Sequence, residues 1–211
     1  MKFKLLFSYR FLLFILSVLG VYLQLTKHGG FGMMLYYTIL SNMLVMFFMG
    51  DMVWRMVRGR STQTQDYLRM KGAVTMAIMI TFVIYHFMLA PLATPEKFYR
   101  LENFLCHYIV PLMFFFDTLV IDKAKQYRKL DPFLWTLIPL AYMLFALLNG
   151  LVLKWPIPGA KDSPFAYFFI NVNKYGWAFV GKWVVIIFIA YLLAGYVLYG
   201  IKNIKRKSAV S

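Results

Sequence analysis

Apolar residues run along this chain in long blocks, with no strand-like alternation. Six blocks stand out, at roughly 5–26, 33–54, 72–92, 104–121, 133–153 and 178–200. Each approaches the ~20 residues a helix needs to cross a bilayer. In lipid a helix satisfies its own backbone hydrogen bonds, and the alternation of a membrane β-barrel is missing. The pattern therefore predicts an all-α protein, a polytopic integral membrane bundle of six transmembrane helices forming a single domain over 1–211. The first block reads as a span rather than a cleaved signal peptide. It is long, carries Arg10, and has no small-residue cleavage site before Lys27.

Composition agrees with this picture. Hydrophobic residues make up 62% of the chain and charged ones 15%, against about 45–50% and 25% in soluble domains. That excludes a soluble enzyme and a disordered chain. The single cysteine, Cys106, excludes an intrachain disulfide.

The net charge of +15 would suggest nucleic acid in a soluble protein, but here it sorts by side. Lys2, Lys4, Arg10, Arg55, Arg58, Arg60, Arg69, Lys71, Lys123, Lys125, Arg128, Lys129, Lys202, Lys205, Arg206 and Lys207 fall on one side of the six spans. Lys27, Lys97, Arg100, Lys154, Lys161 and Lys174 fall on the other, with Lys182 at the start of the last span. Positive loops stay cytoplasmic, so both termini are expected inside. The basic face is expected to meet anionic lipid headgroups, and no nucleic-acid partner is implied.

The longest connection, 154–177, lies on the outer side and is rich in aromatics: Lys154-Trp155-Pro156-Ile157-Pro158-Gly159, then Asp162, Pro164 and Phe165 to Phe169. Two readings stand, a lid lying in the interface or a plain interfacial connection.

Polar residues inside spans are costly and often functional. Thr38, Ser41 and Asn42 share one face of the second span at i, i+3 and i+4. Together with His86, His107 and Asn149 they fall at one depth, in the outer half of the bundle. A membrane threonine usually bonds back to a carbonyl of its own helix. A threonine beside a histidine at equal depth also has the makings of a nucleophile and its general base. Histidine suits the second role because its ordinary pKa lies near neutrality. Ser41, Asn42 or His86 are the candidate donors to an oxyanion, with Asn149 and Lys182 as further substrate-side candidates.

Pro111 follows His107 by four residues, so the His107 carbonyl lacks its helical donor and a kink is expected. Asp117 lies ten residues beyond His107, roughly 15 Å along a helix. That is too deep to orient the histidine, and pairing with Lys71 or Arg55 is the simpler reading. Asp51 is read the same way.

There is no HExxH, no zinc-spaced Cys/His cluster, no P-loop and no GxSxG. A haem held by His86 and His107 is a rival reading. No metal or cofactor is required by the hydrolytic one.

The run Tyr36-Tyr37-Thr38-Ile39-Leu40-Ser41-Asn42, the run His107-Tyr108-Ile109-Val110-Pro111 leading to Phe114-Phe115-Phe116-Asp117, and the stretch Lys71 to Pro91 carry a resemblance. With six spans in this length, the chain resembles the androgen-induced and androgen-dependent TFPI-regulating protein family, specifically its bacterial relatives. The animal members are multi-pass threonine hydrolases that cleave fatty acid esters of hydroxy fatty acids with an intramembrane Thr and His. The resemblance places those roles on Thr38 and His107. It implies a fatty acyl ester substrate and a bacterial cell membrane. The animal members carry Glu where this chain has Asp117, and one more residue between the histidine and the proline. The expectation is an intramembrane lipid ester hydrolase; the alternative is a non-catalytic lipid-binding protein or small transporter with a polar site in the outer half.

Overall fold

The structure, a computed structural model, describes residues 3–160 and 163–203. Lys2, Lys161, Asp162, Lys205, Arg206 and Lys207, which enter the charge and connection readings above, lie outside the described residues. The described chain is helical and contains no strand.

Six helices are long and apolar enough to cross a membrane: α1 Phe3–His28, α2 Tyr37–Val57, α3 Gln65–Leu92, α4 Leu101–Ile121, α5 Asp131–Leu153 and α6 Val172–Asn203. With six crossings both ends of the described chain lie at one face, the terminal face; the other is called the far face.

The helices outrun the apolar blocks because helical hydrogen bonding does not stop where hydropathy does. Tyr67, Arg69 and Lys71 belong to α3, although the apolar block begins at 72. The reverse holds at α2. Residues Gly30–Leu35 form a 3-10 helix, and an extended Tyr36 (φ −92°, ψ 133°) separates it from the span. In α6 a break at Gly176 (φ 77°, ψ 165°) divides the first turn from the continuous helix, a conformation that glycine adopts at no steric cost.

Three spans are not uniform α-helices. Wide π turns occupy Tyr85–Leu89 in α3, Leu105–Ile109 and Asp117–Ile121 in α4, and Asn149–Leu153 in α5. In the first α4 turn the bonding steps to i−5, with Val110 N–H donating to the Leu105 carbonyl. This turn ends just before Pro111, which has no N–H to give. The expected kink at His107 thus takes the form of a π bulge, a feature frequent at functional sites.

The core near the terminal face packs α1, α2, α3 and α4 through Leu13, Val45, Met49, Ile78, Val110 and Phe114. Close approach depends on small residues, as usual between membrane helices. A Cβ on Gly20 would lie 3.1 Å from the Cys106 sulfur. Outside, the large apolar residues Val185, Ile189, Leu193 and Val197 recur every fourth position along α6 and are exposed. Such a stripe is a lipid-facing surface.

A buried ion cluster ties the terminal half together. Arg10 Nε lies 3.0 Å from Asp117 Oδ1, and Arg10 Nη2 lies 3.3 Å from Asp122 Oδ1. Lys71 bonds Asp117 and also Asp122, the latter at 2.6 Å. All four side chains are at most 1% exposed. Two cations face two carboxylates in this cluster, and Lys202 adjoins it, donating to the Asp122 backbone carbonyl at 2.7 Å. Lys71 is the Asp117 partner that depth suggests; Arg10 is an additional one. Arg55 instead pairs with Asp51 at 2.6 Å, within its own helix.

Candidate functional site

Thr38 is the second residue of α2. The extended Tyr36 before it means that no helical turn precedes it, so the back-bond available to most membrane hydroxyls is missing. Elsewhere that back-bond forms: Thr26 donates to Tyr22 O, Thr75 to Lys71 O and Thr136 to Phe133 O. The Leu35 carbonyl, three residues before Thr38, takes the Tyr142 hydroxyl instead. The Thr38 hydroxyl turns across to α4, where its Oγ1 lies 3.2 Å from His107 Nε2.

The histidine's protonation follows from its second bond. His107 Nδ1 is 3.0 Å from the Asn103 carbonyl oxygen, which can only accept. Nδ1 therefore carries the proton, and the Nε2 lone pair receives the Thr38 O–H. The ring is buried and lies against the Tyr85 ring, with centroids 3.8 Å apart and planes within 21°. Tyr85 is held in turn by the Asn103 side-chain amide, which donates to its hydroxyl at 2.6 Å. Asn103 thus braces the imidazole twice, through its backbone and through Tyr85.

Ser41 and Asn42 lie beside Thr38 but work on its backbone. Ser41 donates to the Thr38 carbonyl at 3.1 Å and shares a bond with Thr81 at 2.7 Å. Asn42 spends its amide hydrogens on the carbonyls of Thr38 and Cys106, at 2.8 and 3.0 Å. This fastens the start of α2 to α4 and leaves neither donor for an oxyanion, which corrects that part of the sequence expectation.

The other candidates sit elsewhere. His86 is exposed, with Nδ1 3.3 Å from the Tyr108 hydroxyl, because its neighbour Tyr85 takes the inward side of the π turn. It is not joined to the Thr38 pair, and the two histidines face different partners, contrary to a shared haem site. Asn149 is buried but turned to the connection, donating to the carbonyls of Trp155 and Pro164 and accepting from Trp155 N–H. Lys182 is exposed on α6, and Asp117 belongs to the ion cluster at the opposite end of α4. Neither lies at the Thr38 site.

Thr38 stands on the wall of an open apolar cavity between α2, α3, α5 and α6. Ile80, Ile84, Leu140, Ile187 and Phe188 give it an aliphatic and aromatic lining. The connection after α5 completes it at the far face with Tyr167, Phe169 and Ile170. Asn149 pins that connection at one point, and the Tyr36 hydroxyl pins it at another by donating to Pro158 O at 2.6 Å. Phe165 packs so closely over Gly150 that a Cβ there would lie 2.0 Å from its ring. The stretch 163–171 is therefore seated on the bundle as a cover.

Sequence reasoning did not find Tyr85, Asn103 or Tyr167. Asn103 was within reach, since it precedes His107 by one α-helical turn. Tyr167 accepts the Thr38 N–H at 3.4 Å, a contact across 129 residues that spacing cannot reveal.

No protein-family model, curated protein or solved structure matches the chain.

Proposed function

We propose that the chain is an intramembrane hydrolase of lipid acyl esters, with Thr38 as nucleophile and His107 as general base. The observation that carries this reading is the Thr38 Oγ1 to His107 Nε2 bond at 3.2 Å, with Nδ1 fixed by a carbonyl and Thr38 on the wall of an apolar cavity. A hydroxyl needs such a base because it is a poor nucleophile at neutral pH.

In the first step Thr38 Oγ bonds to the ester carbonyl carbon while its proton passes to His107 Nε2. The tetrahedral adduct collapses, and the departing alkoxide takes that proton, leaving an acyl-threonine. Water then gives a proton to Nε2 and its oxygen to the acyl carbon, and collapse returns the proton to Thr38. One ester and one water become one acid and one alcohol. Asn103 supplies a carbonyl where serine hydrolases place a carboxylate, so it orients the ring without neutralising the imidazolium.

The family resemblance supports the same pair and suggests fatty acid esters of hydroxy fatty acids as the substrate class. It also supports a bacterial cell membrane as the location. The positive-side bias supports cytoplasmic termini, which puts the site in the leaflet away from the cytoplasm.

The test is hydrolysis of p-nitrophenyl decanoate by the purified protein in detergent. Thr38→Ala and His107→Ala are each expected to lose about 10³-fold or more in kcat, with the thermal midpoint kept. Full activity in both variants would refute the pair. A lipid-binding protein or transporter would return the ester unchanged from the unmodified chain as well.

A further inference from the structure

The attack on an ester carbonyl places negative charge on the carbonyl oxygen, and a donor aimed at that position is often the largest single catalytic term. The residues around Thr38 leave few free donors. Ser41 and Asn42 are spent on carbonyls below it. Tyr142 gives its proton to Leu35 O. Tyr85 lies flat on the imidazole with its oxygen at the Asn103 amide, and no hydrogen bond joins that hydroxyl to Thr38; His86 is exposed.

We propose that Tyr167 is a catalytic residue of this site, its phenol O–H donating to the substrate carbonyl oxygen as charge develops there during attack by Thr38. The inference rests on the Thr38–His107 reading and assigns it the missing oxyanion donor.

Three observations carry it. The Tyr167 oxygen accepts the Thr38 N–H at 3.4 Å, so one lone pair is occupied and the phenol is held beside the nucleophile. Among the described residues no hydrogen bond takes the phenol proton. The ring is 9% exposed and lines the cavity. It is clamped by Phe169 in a stack (5.2 Å, 6°) and by Tyr36 edge-on (5.9 Å, 80°). A donor held this firmly needs no reorganisation at the moment of reaction, which is what makes it effective. Burial pushes the phenol above its ordinary pKa, so it stays protonated and able to donate at neutral pH.

The geometry also explains why the residue comes from the connection. The first amides of α2 have no helical acceptor and point toward the far face. A phenol seated on them takes the Thr38 N–H and keeps its own O–H as the donor offered to the cavity. Seating of the cover and assembly of the site are then one event.

The experiment compares the unmodified chain, Tyr167→Phe and Thr38→Ala, with p-nitrophenyl decanoate and a long-chain fluorophosphonate label. Phe keeps the ring packing and removes only the hydroxyl. Tyr167→Phe is expected to lose about 100-fold or more in kcat, with KM within threefold and an unchanged thermal midpoint, and to label correspondingly slowly. A Tyr167→Phe kcat within threefold of the unmodified chain, while Thr38→Ala is inactive, overturns the role of Tyr167 alone. A comparable loss in Tyr37→Phe, with Tyr167→Phe fully active, moves the donor to Tyr37 and overturns it too. An unmodified chain that neither hydrolyses nor labels overturns the Thr38–His107 reading, and this inference with it.

Discussion

At the scale of single residues, the site depends on where Thr38 sits in its helix. One turn deeper, its hydroxyl would find a helical carbonyl, as Thr26 and Thr75 do. Placed second in α2, after the extended Tyr36, it has His107 as its partner. Depth and helical spacing made the pairing of Thr38 with His107 legible in the sequence, because topology alone fixes which residues lie level. The same reasoning set Ser41 and Asn42 on the right face. It could not say that their hydrogens go to backbone carbonyls, since that depends on distances of tenths of an ångström. His86 shows the limit most plainly. It is level with His107, but the π turn at Tyr85–Leu89 rotates Tyr85 inward in its place, and hydropathy carries no sign of a π turn.

At the scale of elements, the six spans were legible to within a few residues, except at the ends of α2, α3 and α6. There the apolar blocks miss polar helical turns, such as the start of α3 that carries Lys71. Depth also paired Asp117 with Lys71, whereas Arg10 looked like an ordinary cytoplasmic-side charge. Its burial follows from Asp122, which lies just past α4 and brings a second carboxylate to the cluster. The cluster locks α1, α3 and the end of α4, and its balance of charge gives a sharp expectation. Lys71→Met removes one of the two cations whose side chains bond the buried Asp117 and Asp122 carboxylates. Removing one partner of a buried ion pair costs about 3–5 kcal/mol. We expect a loss of that order in thermal or denaturant unfolding. Lys71→Met combined with Asp122→Leu, which removes one charge of each sign, is expected to cost less than Lys71→Met alone. A double variant that costs the sum of the two single ones would mean the charges act independently.

At the scale of the whole molecule, the bundle divides its labour between faces. The terminal half is fastened by ions; the far half holds an apolar cavity, the Thr38–His107 pair and the cover that completes them. The cover explains the aromatic content of 154–177, where both a lid and a plain connection fit the sequence. Its contacts to Asn149, Tyr36 and Gly150 join positions far apart in the chain and could not be read from it. The proposed orientation can be checked because Cys106 is buried and is the single cysteine. In a Cys106→Ala background, a cysteine at exposed Ser61 is expected to react with an impermeant maleimide only after the cells are opened. One at exposed Lys154 is expected to react from outside; the reverse pattern would invert the topology. On the proposed mechanism Thr38 forms a covalent acyl intermediate. This is tested most directly by the intact mass of the whole chain, quenched in acid during turnover of p-nitrophenyl decanoate, with peptide mapping of the adduct. One added decanoyl group is expected, on Thr38 and absent from Thr38→Ala. Turnover with no adduct on the unmodified chain, or an adduct on another residue that persists in Thr38→Ala, would contradict it.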